Sequence, residues 1–266
     1  MPVLPALQTV LYELDDEHVA SVTINRPEAM NSFDDAMMND FDAIWAHVAQ
    51  EDAVHAVVLR AAPGRAFSTG VDVKQPSPLT ALANVWSRTD PGDRLGPKRK
   101  RCWKPVIAAV HGLCAGGAFY WLNECDIIIC SEDAQFFDPH VTYGMVAAVE
   151  PIGLRYRIPL GETLRMALMG NDERIGAPTA LRIGLVSEVT TSDELWGRAA
   201  QIARTIAAKP AAAVQGTVRA IWESLELPRS AALQMALNYS QIGNPIGKAA
   251  VNREALMKGS KSYKVR

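Results

Sequence analysis

The sequence predicts a layered α/β domain followed by a helical C-terminal region. Three observations carry this expectation. Short runs rich in Val, Ile and Thr alternate with segments of helical period up to about residue 190. From residue 192 onward the pattern is helical, punctuated by Pro210, Pro228 and Pro245. The chain has 266 residues, 48% hydrophobic and 21% charged, which suits one large domain with an extension. The expected division is a core over 1–191 and a helical region over 192–266.

Residues 8–14 and 18–25 are strand-like and separated by Asp15-Asp16-Glu17, which predicts a β-hairpin. Residues 34–50 place Phe41, Ile44, Trp45 and Val48 on one helical face, with Asp34 as the opening cap. The runs 54–60, 105–110 and 126–130 are short and apolar, as buried strands are. A helix is expected at about 117–125, others at 161–169 and 177–182, and a strand at 185–189. Residues 75–97 carry Pro76, Pro78, Pro91, Pro97, Gly92 and Gly96, and are expected to be irregular, with Trp86 as one wall of a pocket.

Composition excludes several classes of function. The 27 basic and 29 acidic side chains give a net charge of −2, so nothing points to nucleic acid. No apolar run is long enough to span a membrane, and the first ten residues lack a basic flank before an apolar stretch. Cys102, Cys114, Cys125 and Cys130 form no CxxC pair and have no histidine at zinc-ligand spacing. They are expected to be reduced core thiols of a cytoplasmic protein, with no metal site.

Two loops have the character of a site. In residues 111–126, HGLCAGGAFYWLNECD, a buried strand runs into Gly116-Gly117 and then a helix. Main-chain N–H groups at such a turn can face a developing oxyanion, although glycines there also permit close helix–strand packing. The loop 66–74, AFSTGVDVK, follows another buried strand and frees a second N–H. Two such loops can hold one carbonyl oxygen from two sides.

The segments NRPEAMNS (25–32), RAFSTGVDVK (65–74), KPVIAAVHGLCAGG (104–117), CDIIICSEDAQF (125–136) and IGAPTALRIGLVSEV (175–189) resemble the crotonase, or enoyl-CoA hydratase/isomerase, superfamily across nearly the whole chain. The resemblance implies a spiral of ββα units with a C-terminal helical trimerisation region, forming a homotrimer or a dimer of trimers. It implies an acyl-CoA thioester as substrate, with coenzyme A arriving as part of the substrate and no permanently bound cofactor. It also implies an oxyanion hole made by the N–H groups of Val71 and Gly117. Coenzyme A contacts map to Arg26, Glu28, Ala29, Arg65, Phe67, Asp72 and Val73. The basic run 98–101 either meets phosphate or forms a solvated helix face.

The chain departs from the family at the acid–base positions. Tyr120 and His140 stand where the two catalytic glutamates are expected, and Glu150 lies in place of a glycine-rich loop. His140 can serve as a general base near neutral pH. Glu150 is the first candidate for its carboxylate partner and Asp138 the second. Tyr120 is suited to donating a proton, with Glu124 four residues on along the same helical face. Three readings follow. The first is a hydratase/isomerase-like enzyme with His140 replacing glutamate. The second resembles the branch that hydrolyses β-diketone carbon–carbon bonds, as 6-oxocamphor hydrolase does, through a His140–Glu150 dyad. The third is a non-catalytic acyl-CoA-binding protein.

Overall fold

The computed structural model describes residues 4–75, 90–258 and Val265. Ten strands are present among them: β1 (Val10–Leu14), β2 (Val19–Ile24), β3 (Ala56–Ala61), β4 (Ala66–Ser68), β5 (Val106–Val110), β6 (Leu113–Ala115), β7 (Ile127–Ser131), β8 (Gln135–Phe137), β9 (Ile175–Gly176) and β10 (Glu188–Thr190). The helices are α1 (Asp35–Gln50), α2 (Gly92–Leu95), α3 (Phe119–Leu122), α4 (Val149–Leu154), α5 (Leu160–Met169), α6 (Ala177–Ile183), α7 (Leu195–Ala207), α8 (Ala211–Ser224), α9 (Arg229–Ala249) and α10 (Arg253–Lys258).

The strands form two sheets. The larger runs β1-β2-β3-β5-β7-β10, antiparallel only in the β1–β2 hairpin, where Val10 faces Ile24 and Leu14 faces Ala20. The smaller runs β4-β6-β8-β9. Each long strand β3, β5 and β7 is followed within a few residues by a short strand of the second sheet and then by a turn or helix. This repeated ββα passage is the spiral expected from the sequence. The long strands are mainly apolar because both faces are covered: every residue of β5 is buried.

Helix α1 closes one face. Asp34 caps it by accepting from the Met37 N–H at 2.9 Å. Its Phe41, Ile44, Trp45 and Val48 are fully buried, and the Trp45 indole N–H donates to the Leu95 carbonyl at 2.7 Å. The aromatic rings of Phe33, Phe41, Trp45 and Trp121 pack at centroid distances of 5.0–5.9 Å.

The chain forms two compact units, divided between Ile206 and Ala207. The sequence expectation set the break at 191/192. Helix α7 moves it, because Leu195, Ala199 and Ala203 are buried and Trp196 lies under the Arg60 guanidinium, centroid distance 4.1 Å. In the second unit α8 and α9 pack closely at small residues. A Cβ on Gly247 would lie 3.2 Å from the Ala213 Cβ. Pro210 and Pro228 cap these helices as expected, whereas Pro245 does not break α9, which continues to Ala249. The contact with α8 on either side of Pro245 supports the helix through the lost hydrogen bond.

The helix expected at 117–125 is shorter. A 3-10 turn over Gly116–Ala118 leads into the four-residue α3. The basic run 98–101 is a turn rather than a helix face. Lys98 pairs with Asp126 at 2.9 Å, Arg99 with Asp93 and Glu124, and Lys100 with Asp42. Glu124 also accepts from the main-chain N–H groups of Lys98 and Arg99 at 2.6 and 3.1 Å, so its role is to hold this turn. All four cysteines are buried and unpaired.

Candidate active site

Two glycine turns meet at the ends of β4 and β6. Phe33 pairs with Val71 as an isolated parallel bridge, in which the Phe33 N–H donates to the Gly70 carbonyl and the Asp72 N–H donates to the Phe33 carbonyl, each at 2.8 Å. In a parallel bridge the paired residue's own N–H points to the opposite side. Val71 therefore directs its N–H away from Phe33. Gly70 sits at φ +85°, and a Cβ there would lie 2.7 Å from the Gly117 nitrogen and 3.1 Å from the Ala115 carbonyl. On the other side, a Cβ on Gly117 would lie 2.6 Å from the Phe33 ring and 3.3 Å from the Gly70 Cα. Only glycine at both positions lets these two main chains come so close.

The second turn also touches His140. Gly116 is at φ +52°, and a Cβ on it would face Pro139 at 3.4 Å and the His140 Cε1 at 3.7 Å. His140 opens a 3-10 turn directly after β8. Asp138, 1% exposed, accepts on one oxygen both the His140 main-chain N–H at 3.1 Å and the ring Nδ1–H at 2.5 Å. With Nδ1 bonded to this carboxyl oxygen, Nε2 is the ring nitrogen that remains for proton transfer. The Nε2 atom faces the Glu150 Oε1 at 3.8 Å. The sequence reading put Glu150 first as the partner of this ring. The structure reverses that order, since the hydrogen-bonded carboxylate is Asp138. The other Asp138 oxygen is buried without a partner among the described residues.

Glu150 belongs to the first turn of α4 and is buried. The Asn123 side chain, just beyond α3, donates to its carbonyl at 2.8 Å and ties the two helices together. The Tyr120 hydroxyl donates to Asp90 Oδ2 at 3.2 Å. Two groupings result, Asp138–His140–Glu150 and Tyr120–Asp90, drawn from four separate segments and electrostatically coupled through Glu150.

The electrostatics follow from this arrangement. The hydrogen bond to Asp138 raises the His140 pKa above its ordinary 6.5, against the opposing effect of burial, and Glu150 adds to the rise. Burial raises Glu150 above the usual carboxyl range, helped by the charges of Asp138 and Asp90 and opposed by His140. Burial, then Glu150 and Asp90, push the Tyr120 phenol far up, so it stays protonated. Among the described residues no group of three or more His, Cys, Asp and Glu is arranged to hold a metal ion.

The residues expected to contact coenzyme A fall into two groups. Glu28, Arg65 and Val73 are exposed, and Ala29 is half-buried. Arg26, Phe67 and Asp72 are committed inside the protein. Arg26 pairs with Asp72 at 3.0 Å and Asp34 at 3.3 Å and donates to the Ser32 carbonyl at 2.7 Å, which pins the 71–73 loop to the segment after β2. Phe67 is fully buried. Trp86 lies outside the described residues. Asp90 and Asn123 were missed by sequence reasoning, since neither sits in a recognisable local pattern.

Comparison with known proteins agrees with this architecture. Residues 15–264 match the family model for enoyl-CoA hydratase/isomerase. The chain is 36% identical over 227 residues to (E)-benzylidenesuccinyl-CoA hydratase of Thauera aromatica, covering 85% of each chain. It is 30% identical to short-chain-enoyl-CoA hydratase of Clostridium acetobutylicum, covering 85% of this chain and 86% of that one. An enoyl-CoA hydratase/isomerase structure from Mycobacterium paratuberculosis superposes with a TM-score of 0.85 at 34% identity, covering 95% of this chain and 97% of that one. The two glycine turns, the ββα spiral and these likenesses together place the chain in the enoyl-CoA hydratase/isomerase family of the crotonase superfamily.

Proposed function

We propose that the protein adds water to, or shifts the double bond of, an α,β-unsaturated acyl-CoA through a thioester enolate. The observation that supports this reading most is the close approach of the Gly70 and Gly117 main chains, which suits a pair of N–H donors from Val71 and Gly117 on one oxygen. Fixed donors of this kind stabilise an oxyanion by about 3–4 kcal/mol each, because no reorganisation is needed as charge develops.

His140 is the base. Asp138 holds its ring through Nδ1, and Nε2 takes a proton from water as the water oxygen attacks C3 of the substrate. The electron pair of the double bond moves onto the thioester oxygen, where the two amides receive it. Protonation at C2 completes hydration. In isomerisation the same base removes a proton from carbon instead. Tyr120, protonated throughout, is a donor rather than a base. Coenzyme A runs past Glu28, Ala29, Arg65 and Val73, with Arg26 and Asp72 shaping the loop and Phe67 contributing only main chain.

The exposed Leu233, Leu237, Ile242 and Ile246 of α9 support burial of that helix in a homotrimer or a dimer of trimers, which sedimentation would read directly. Four buried, unpaired cysteines support action in the cytoplasm. Among the described residues no helix is long and apolar enough to cross a membrane.

The test is hydration of a panel of enoyl-CoAs, followed by loss of the conjugated absorbance. Wild type is expected to turn over at least one, and His140→Ala to lose about 10²–10⁴-fold in kcat. Turnover of a β-diketone with no thioester, abolished by the same substitution, would favour the carbon–carbon hydrolase reading, for which the 3.8 Å approach of His140 to Glu150 is the support. Coenzyme A binding with no turnover of either class would favour the non-catalytic reading.

A further inference from the structure

Helix α4 carries Glu150, whose Oε1 lies 3.8 Å from the His140 Nε2. That is too long for a direct hydrogen bond, so no bond between the two side chains fixes their separation. It is set by where α4 sits. The helix has six residues, and a helix so short takes its position from its neighbours rather than from its own hydrogen bonds.

The neighbour that places it is Asn123, directly after α3. The Asn123 Nδ2 donates to the Glu150 main-chain carbonyl at 2.8 Å. The Asn123 main-chain carbonyl accepts from the Arg157 Nη2 at 3.0 Å, three residues past the end of α4, and the same guanidinium nitrogen also donates to the Cys125 carbonyl. One residue therefore grips α4 near both ends. Between these two bonds the helix has a notch at Gly153. A Cβ there would lie 2.5 Å from the Asn123 Nδ2, 2.7 Å from its Cγ and 2.9 Å from its Cβ. Turning the amide aside does not clear that contact, because the Asn123 Cβ is fixed by its own main chain. The Asn123 Oδ1 is buried with no partner among the described residues, so the amide is committed to the single bond that it gives Glu150.

The consequence reaches the base. Among the described residues, the titratable groups facing His140 are Asp138, bonded to Nδ1, and Glu150, opposite Nε2. Glu150 in turn faces His140 and Asp138 on one side and Tyr120 and Asp90 on the other. A carboxylate opposite Nε2 favours the imidazolium, and the strength of that effect follows its distance.

We propose that Asn123, wedged into the notch at Gly153, is a positioning residue that fixes α4 and so sets the place of the Glu150 carboxyl opposite the His140 Nε2. Its relevance to catalysis rests on the reading of His140 as the base acting on an acyl-CoA, whereas the placement itself does not.

The test follows the His140 ring by proton NMR titration of the full chain, its signal assigned by its loss in His140→Gln. Glu150→Gln should lower the His140 midpoint by about half a pH unit or more, because one of the two carboxylates that raise it is gone. Asn123→Ala and Gly153→Ala should each move the midpoint in the same direction, by up to that amount, although neither removes a charge. Gly153→Ala should also lower Tm, against the gain that alanine ordinarily brings inside a helix. In the double variant, where the Asn123 side chain no longer fills the notch, that further loss of Tm should vanish. If Asn123→Ala does not fold, Gly153→Ala carries the same reading. A midpoint unmoved in both variants while Glu150→Gln lowers it would leave Asn123 a purely structural role and overturn the proposal. A midpoint unmoved in Glu150→Gln as well would overturn it too, since Glu150 would then not act on His140. In a turning-over enzyme the acid limb of kcat/KM should move to lower pH with the midpoint, with KM changed less than about threefold. Shifted midpoints in a protein that turns over no enoyl-CoA would support the placement and remove the acyl-CoA reading instead.

Discussion

Gly70→Ala is the sharpest probe of the paired glycine turns. The added Cβ meets main-chain atoms on the opposite turn, the Gly117 nitrogen at 2.7 Å and the Ala115 oxygen at 3.1 Å. Neither can swing aside as a side chain would. The residue is also at φ +85°, where an L side chain costs about 1–2 kcal/mol. Overpacking of this kind adds roughly 1–3 kcal/mol. A total of about 3 kcal/mol corresponds to a fall in Tm of roughly 6–12 °C for a unit of this size. Relief of the clash pushes the two turns apart and misaligns the N–H groups of Val71 and Gly117, so kcat should fall about 10²–10³-fold as well. Gly184→Ala is the control. It has nearly the same φ, +84°, but its Cβ would meet nothing closer than the Arg157 carbonyl at 3.8 Å. It should lose about 1–2 kcal/mol of stability and no activity. Thermal melts and enoyl-CoA kinetics on the two variants decide the matter. If Gly70→Ala matches Gly184→Ala in both Tm and kcat, the two turns do not form a joint site.

Three further predictions concern the surroundings. Asp138 raises His140 above its unfolded value near 6.5, so this pair stabilises the fold fully below that value and less as pH rises through the raised folded value. His140→Gln should therefore lower Tm more at about pH 5.5 than at about pH 8.5, and Asp138→Asn should move the acid limb of kcat/KM to lower pH; equal Tm losses at both values would contradict the pairing. Arg26→Ala strands the buried Asp72 carboxylate and should cost about 3 kcal/mol in denaturant unfolding, with Arg26→Lys recovering only part because it cannot reach Asp72, Asp34 and the Ser32 carbonyl together. Burial pushes the Cys125 and Cys130 thiols up to about 12 and holds Cys102 and Cys114 above their ordinary range, so a disulfide reagent should titrate no thiol in the native protein and four after unfolding.

The sequence exposed the centre of the large sheet well because β3, β5 and β7 are runs rich in Val, Ile and Ala and largely buried on both faces. Asp34 marked the start of α1 because a capping carboxylate acts locally. The second sheet was invisible as strands. Its members β4, β6, β8 and β9 have two or three residues each, too few for a period to register. The two glycine turns were legible because glycine there answers a backbone demand. The partner of His140 was ranked wrongly for a geometric reason. Residues two apart on a strand share a face without bonding, but Pro139 turns the chain out of β8, and Asp138 then reaches back to both the main chain and the ring of His140. Asp90 could not be found at all. It lies 30 residues from Tyr120 in sequence, within a stretch rich in proline and glycine, and only the folded chain brings them together.

The most direct test of the enolate claim is hydrogen exchange at the α-carbon of acyl-CoA thioesters in deuterated water, followed by proton NMR. The account predicts that the wild type incorporates deuterium at that carbon for at least one thioester of a short panel. The rate should fall about 10²-fold or more in Gly70→Ala. Exchange that is unchanged in Gly70→Ala, or absent for every thioester that protects the protein against thermal unfolding, would contradict it.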